Sequence, residues 1–139
     1  MKLISALLIF LISTTNNVRI SGHFKDPNKG KRICIKNLYN CWTDSREEYE
    51  QGSSLRIYRP CEFKAFPLSR FRHRIEFKEN GECSSLQLAP NDAHFMASAN
   101  WTYDKATKMI TAKDESGKIM FKAKLITLTK DLMKIEREK

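Results

Sequence analysis

Glycine and proline are scarce in this chain, five and four of 139 residues, which excludes collagen-like and Gly/Pro-rich low-complexity architectures. Histidine is scarcer still, and its three copies show no H-x-H or H-E-x-x-H spacing, so no metal site is expected. The four cysteines, Cys34, Cys41, Cys61 and Cys83, form no C-x-x-C pair, which removes the usual zinc and thioredoxin-like arrangements. No Gly-rich phosphate loop occurs, and Ser69 has no G-x-S-x-G context. Glu47 and Glu48 are adjacent, and on a strand they would point to opposite faces, poor geometry for a cooperating acid/base pair. No catalytic residue and no cofactor is therefore expected. Acidic residues also run short, 16 against 25 Lys and Arg, a formal charge of +9.

Long apolar runs are absent except at the start. Met1-Lys2 is followed by residues 3–12, a short apolar stretch, below the ~20 residues that span a bilayer comfortably. Residues 1–22 are expected to be a signal peptide, with a retained anchor as the alternative, and the mature protein to be secreted or periplasmic without stable membrane insertion. Residues 23–36, with Lys25, Lys29, Lys31, Arg32 and Lys36, read as a basic lead-in, and Ile33, Ile35 and Leu38 suggest a short helical turn before the first strand. An even number of cysteines in an exported chain permits disulfides among Cys34, Cys41, Cys61 and Cys83, in any of three pairings.

What the rest of the chain has is alternation. Phe71, His73, Ile75 and Phe77 interleave with Arg72, Arg74, Glu76 and Lys78, a period of two that predicts a half-buried strand. Asn80-Gly81 predicts a hairpin turn into a strand over 82–88. Further strands are predicted over 39–47, over 55–59 ending at Pro60, through Ala97 to Tyr103, over 108–113, from Ile119 to Leu125 and over 132–136. About eight short strands, joined by tight turns without a long crossover, predict an all-β, antiparallel, up-and-down eight-stranded barrel over residues 37–139. Closure is the physical expectation because an open sheet of this length leaves two unpaired edges, and a β-sandwich is the rival. The predicted core is Trp42, Phe71, Ile75, Phe77, Trp101, Phe121 and Leu125, with Arg72, Arg74 and Glu76 facing solvent.

Trp42 at the first strand, after a short turn and before an antiparallel meander, is similar to the lipocalin-like (calycin) plan. The middle of the chain resembles a group of uncharacterised small secreted bacterial proteins. The matching stretches are Tyr58-Arg59-Pro60, Phe66-Pro67-Leu68-Ser69-Arg70-Phe71-Arg72, Asn80-Gly81, Leu88-Ala89-Pro90-Asn91-Asp92 and Trp101-Thr102-Tyr103. The resemblance implies the barrel, and it carries no activity from that group.

The candidate ligand-binding residues are Arg59, Arg70, His73, Phe63 and Phe66. Arg59 and Arg70 flank the connection at 60–69, whose Phe63 and Phe66 would form an apolar lip over the barrel mouth. Two guanidinium groups there would fork onto a carboxylate or phosphate. His73 lies on an apolar face, as a ligand contact or as a hydrogen-bonded core residue. The expected function is an exported, non-enzymatic barrel whose partner is a small hydrophobic or amphipathic acidic molecule, or one whose interior is solid. A small hydrolase using rim residues is the alternative. A nucleic-acid partner is not expected, because the aromatic residues fall on inward faces instead of forming stacking platforms.

Overall fold

A computed structural model describes residues 33–137, so the expected signal peptide and residues 23–32 of the lead-in lie outside the described residues. A 3-10 turn, Ile35–Leu38, precedes eight strands: β1 (Cys41–Asp44), β2 (Leu55–Pro60), β3 (Arg74–Phe77), β4 (Glu82–Leu88), β5 (His94–Asp104), β6 (Met109–Lys113), β7 (Ile119–Leu128) and β8 (Met133–Arg137). They close into an antiparallel, up-and-down barrel in the order β1-β2-β8-β7-β6-β5-β4-β3. Closure gives every strand a hydrogen-bonded neighbour on both sides over at least part of its length.

Hairpin chemistry explains the regular half of the barrel. Lys78, Ala89 and Asp114 each accept a hydrogen bond from the N–H three residues on, from Gly81, Asp92 and Gly117 respectively. Those three residues have positive φ, +89°, +62° and +84°. Each turn thus ends on a left-handed residue that returns the chain to its partner strand, the role that glycine fills at Gly81 in the predicted Asn80-Gly81 turn. Asp92 is one of the few non-glycine types that tolerate this conformation.

The irregular half departs from the expected meander at one connection. β1 lies between β2 and β3, pairing Thr43 with Arg59 on one side and Trp42 with Ile75 on the other. β2 and β3, both antiparallel to β1, therefore run in the same direction, and residues 61–73 must travel the length of the barrel between them. This is the long crossover that alternation alone does not reveal. It passes over β1: Thr43 points away from the core that its neighbour Trp42 enters, yet both are buried. A Cys41–Cys61 disulfide pins the start of the crossover to β1, with Cα atoms 5.4 Å apart. Cys34 and Cys83 are free, one exposed and one buried.

The strand predicted over 71–77 is shorter for the same reason. β1 ends at Asp44 and turns into a 3-10 segment, Arg46–Glu48, so residues before Arg74 have no ladder to join. Phe71 is accordingly outside the core, half-buried with its ring 5.5 Å from that of His94. Arg72, expected in solvent, is instead wrapped: its Nη1 donates to the Asp44 carbonyl at 2.7 Å and its Nη2 to the Pro67 carbonyl at 2.9 Å. Arg74 is exposed as expected, and Glu76 is half-buried.

Trp42, Ile75, Phe77, Phe121 and Leu125 do fill the core, joined by Leu38, Tyr58, Ile110, Met133 and Ile135, while Trp101 packs half-buried against it. Leu38 and Trp42 close the end where β1 starts, the indole N–H donating to the Leu38 carbonyl at 3.0 Å. Rings of Phe77 and Phe121 meet edge to face at 6.2 Å. Burying such aromatic side chains is the main stabilising contribution, ~1.5–3 kcal/mol each. The barrel interior is thus occupied by its own side chains from the closed end up to the other rim.

Candidate functional site

That other rim, where β1 and β8 end and β2 begins, holds an open-topped cavity of about 480 Å³ lined by Asp44, Arg46, Tyr49, Arg56, Tyr58, His73 and Arg137. Strand pairing places these residues. Asp44 ends β1 opposite Tyr58, and β2 in turn sets Arg56 opposite Ile135, two residues before Arg137. On β2 the apolar rule is inverted: Tyr58 enters the core, while Ile57 is buried outside the core cluster.

The floor of the cavity is a fixed hydrogen-bond chain. Tyr58 Oη and His73 Nδ1 are 3.0 Å apart, and His73 Nε2 lies 3.0 Å from Ser85 Oγ. Gln87 Nε2 donates to the same hydroxyl at 3.1 Å. Burial and the charge of Arg137 push His73 down to about 4, so the imidazole is neutral at pH 7, with one nitrogen donating and one accepting. Burial raises the Tyr58 phenol well above its ordinary range, which keeps its proton in place.

The walls carry charge. Asp44 is buried, and its carboxylate accepts from Tyr49 Oη and from Arg46 Nε at 3.1 Å. Burial, with the bond to Asp44, pushes Tyr49 up to about 12. Arg56 stacks 5.0 Å over the Tyr49 ring and Arg137 lies 5.7 Å from the Phe121 ring centre. Among the described residues neither makes an ion pair. Three guanidinium groups face one carboxylate and a neutral imidazole, so the mouth carries a net excess of two positive charges. A volume near 480 Å³ is within the ~300–1,000 Å³ of small-molecule sites.

Of the residues expected from sequence, His73 alone lines this cavity. Arg59 points outward and is engaged by Glu48, with Nη2 to Oε2 at 2.6 Å and a second bond from Nε at 2.9 Å, while its Nη1 donates to the Asp131 carbonyl at 2.9 Å. Phe63 lies under that guanidinium at 4.6 Å, and Phe66 faces Lys64 and Arg72 at 5.5 and 5.3 Å. Arg70 is exposed and has no side-chain partner among the described residues. The lip expected over the mouth is therefore a clamp on the outer wall, where Glu47 and Glu48 receive Arg72, Lys64 and Arg59. Arg59 and Lys64 hold the Glu48 carboxyl down at about 2.

Sequence reasoning missed Asp44, Arg46, Tyr49, Arg56, Tyr58 and Arg137. The one signal available was the alternation of Arg56 and Tyr58 with Leu55 and Ile57, and it favours the wrong face when apolar residues are assumed to point inward. Among the described residues no group of three or more His, Cys, Asp or Glu is placed to hold a metal ion, and no helix is long and apolar enough to cross a membrane.

Comparison of the chain with family models, with curated proteins and with solved structures found no match in any of the three.

Proposed function

We propose that this protein is an exported, non-enzymatic, lipocalin-like barrel that holds a small amphipathic acid at its mouth. The observation that carries the reading is the excess of guanidinium over carboxylate in a cavity whose floor is aromatic and neutral. Arg56 and Arg137 would fork onto the acid, and the rings of Tyr49 and Tyr58 would face its apolar part. A long tail has no place to go, because Phe77, Phe121 and Met133 fill the barrel below. Ser85 and His73 are within hydrogen-bonding distance, but Ser85 is 1% exposed and sits beneath the imidazole, which favours binding over a hydrolase. The Cys41–Cys61 disulfide fits an oxidising compartment.

Calorimetric titration with benzoate and benzyl alcohol tests this reading. Benzoate should bind and the alcohol should not, and Arg56→Met or Arg137→Met should weaken benzoate about tenfold, equivalent to ~1.4 kcal/mol. Absence of benzoate binding by the wild type, or equal affinity for the two probes, would overturn it.

A further inference from the structure

β4 and β5 extend past their neighbours as a two-stranded arm. Leu86, Gln87 and Leu88 pair with Met96, Phe95 and His94, whereas β3 reaches β4 no further than Ser85 and β6 reaches β5 no further than Asn100. Ala93, just before β5, accepts from Ala89, and Trp101 within it donates to Gly81, so the odd-numbered residues direct their backbone groups toward β4. Alternation then sends the N–H and C=O groups of His94, Met96 and Ser98 to the opposite edge, which has no ladder partner among the described residues. A closed barrel removes its edges, and here one has been left open.

The arm also lacks the devices that normally protect such an edge. Residues 83–103 contain a single charged residue, Asp92, in a chain of net charge +9. Lysines, bulges and prolines usually blunt exposed edges, and none occurs between His94 and Ser98. Leu88, Phe95 and Met96 are 50%, 49% and 43% exposed along its strands.

We propose that this edge pairs with the same edge of a second copy of the chain, antiparallel about a twofold axis at Met96. That register sets Met96 against Met96 and His94 against Ser98, so all three open-edge residues exchange both backbone hydrogen bonds. Self-complementarity selects a second copy: an identical strand in this register partners every open-edge N–H and C=O, and residues 83–103 bring no lysine or arginine against their copy. The distribution of apolar groups argues against a membrane surface. The arm's tip is Pro90-Asn91-Asp92, polar and acidic, while the apolar side chains lie along the strands where a neighbouring strand covers them.

Sedimentation of the purified protein at about 100 µM, a concentration that populates complexes with Kd near or below that value, should give twice the monomer mass. Met96→Lys places two ammonium groups face to face at the axis, and Met96→Pro removes an edge N–H without touching the bonds to β4. Each should weaken dimerisation at least tenfold, with circular dichroism unchanged. A monomeric wild type overturns the proposal, as does a dimer that survives both substitutions. Binding of monomeric protein to phosphatidylserine vesicles, lost in Met96→Lys, overturns it in favour of a membrane.

Discussion

His73 shows how one side chain couples burial to pH. Its imidazole has a folded pKa near 4 against an ordinary value of 6.5, because burial and Arg137 disfavour the cation. The unfolded chain therefore binds a proton that the folded chain refuses, and stability must fall as pH drops from 6.5 to 4. The expected loss over that window is about 3 kcal/mol, read as the difference between wild type and His73→Gln in urea unfolding at each pH. Parallel pH profiles for the two proteins would remove His73 as the cause. Side-chain packing gives a second test at this scale. Phe77 is buried in the core, and truncation to Ala should cost ~3–5 kcal/mol, whereas Arg74→Ala, on an exposed side chain of the same strand, should stay within ~0.5 kcal/mol.

Among the elements, the crossover at 61–73 is the one that alternation cannot hold in place. Three devices hold it: the Cys41–Cys61 disulfide, the Glu47 and Glu48 cluster, and Arg72 on the Asp44 and Pro67 carbonyls. The disulfide spans a sequence separation of 20, and closing a loop of that size restricts the unfolded chain by ~3 kcal/mol. Calorimetric or urea unfolding of the Cys41→Ser/Cys61→Ser double variant should show a loss of that order; a loss below ~1 kcal/mol would mean that the ion pairs anchor the segment without it. The β3–β4 turn rests on Gly81 at φ +89°. An added Cβ meets nothing within 4 Å, so Gly81→Ala should cost only the left-handed backbone penalty, ~1–2 kcal/mol in the same measurement.

At the scale of the whole molecule, closure depends on chain segments far apart in sequence. Leu55 of β2 meets Glu136 of β8, so the last strand completes the wall begun near the start of the described chain. Removing β8 would leave β2 and β7 as long open edges and expose Phe121, Leu125 and Tyr58. The truncated chain should lose its cooperative thermal transition and scatter light at concentrations where the intact chain is clear. A soluble, cooperatively folding truncation would show that the barrel does not need to close. Closure also concentrates charge: the ends of β1, β2 and β8 bring Arg46, Arg56 and Arg137 to one rim although they span most of the described sequence.

The sequence by itself determined the local geometry of this protein. Period-two alternation marked most strands, Asn80-Gly81 marked a turn, and Trp42, Phe77 and Phe121 marked the core, because strand faces and turn conformations depend on residues a few positions apart. Only the tertiary structure decided the order of β1, β2 and β3, the pairing of Cys41 with Cys61, and the fate of Arg59 and Arg72 on an outer clamp. It also decided the candidate site, whose members range from Asp44 to Arg137 and include an arginine and a tyrosine on a strand whose apolar alternation points the other way. The reason is that strand ladders are made by backbone groups nearly every residue carries, so alternation tells which face is buried but not which distant strand lies alongside.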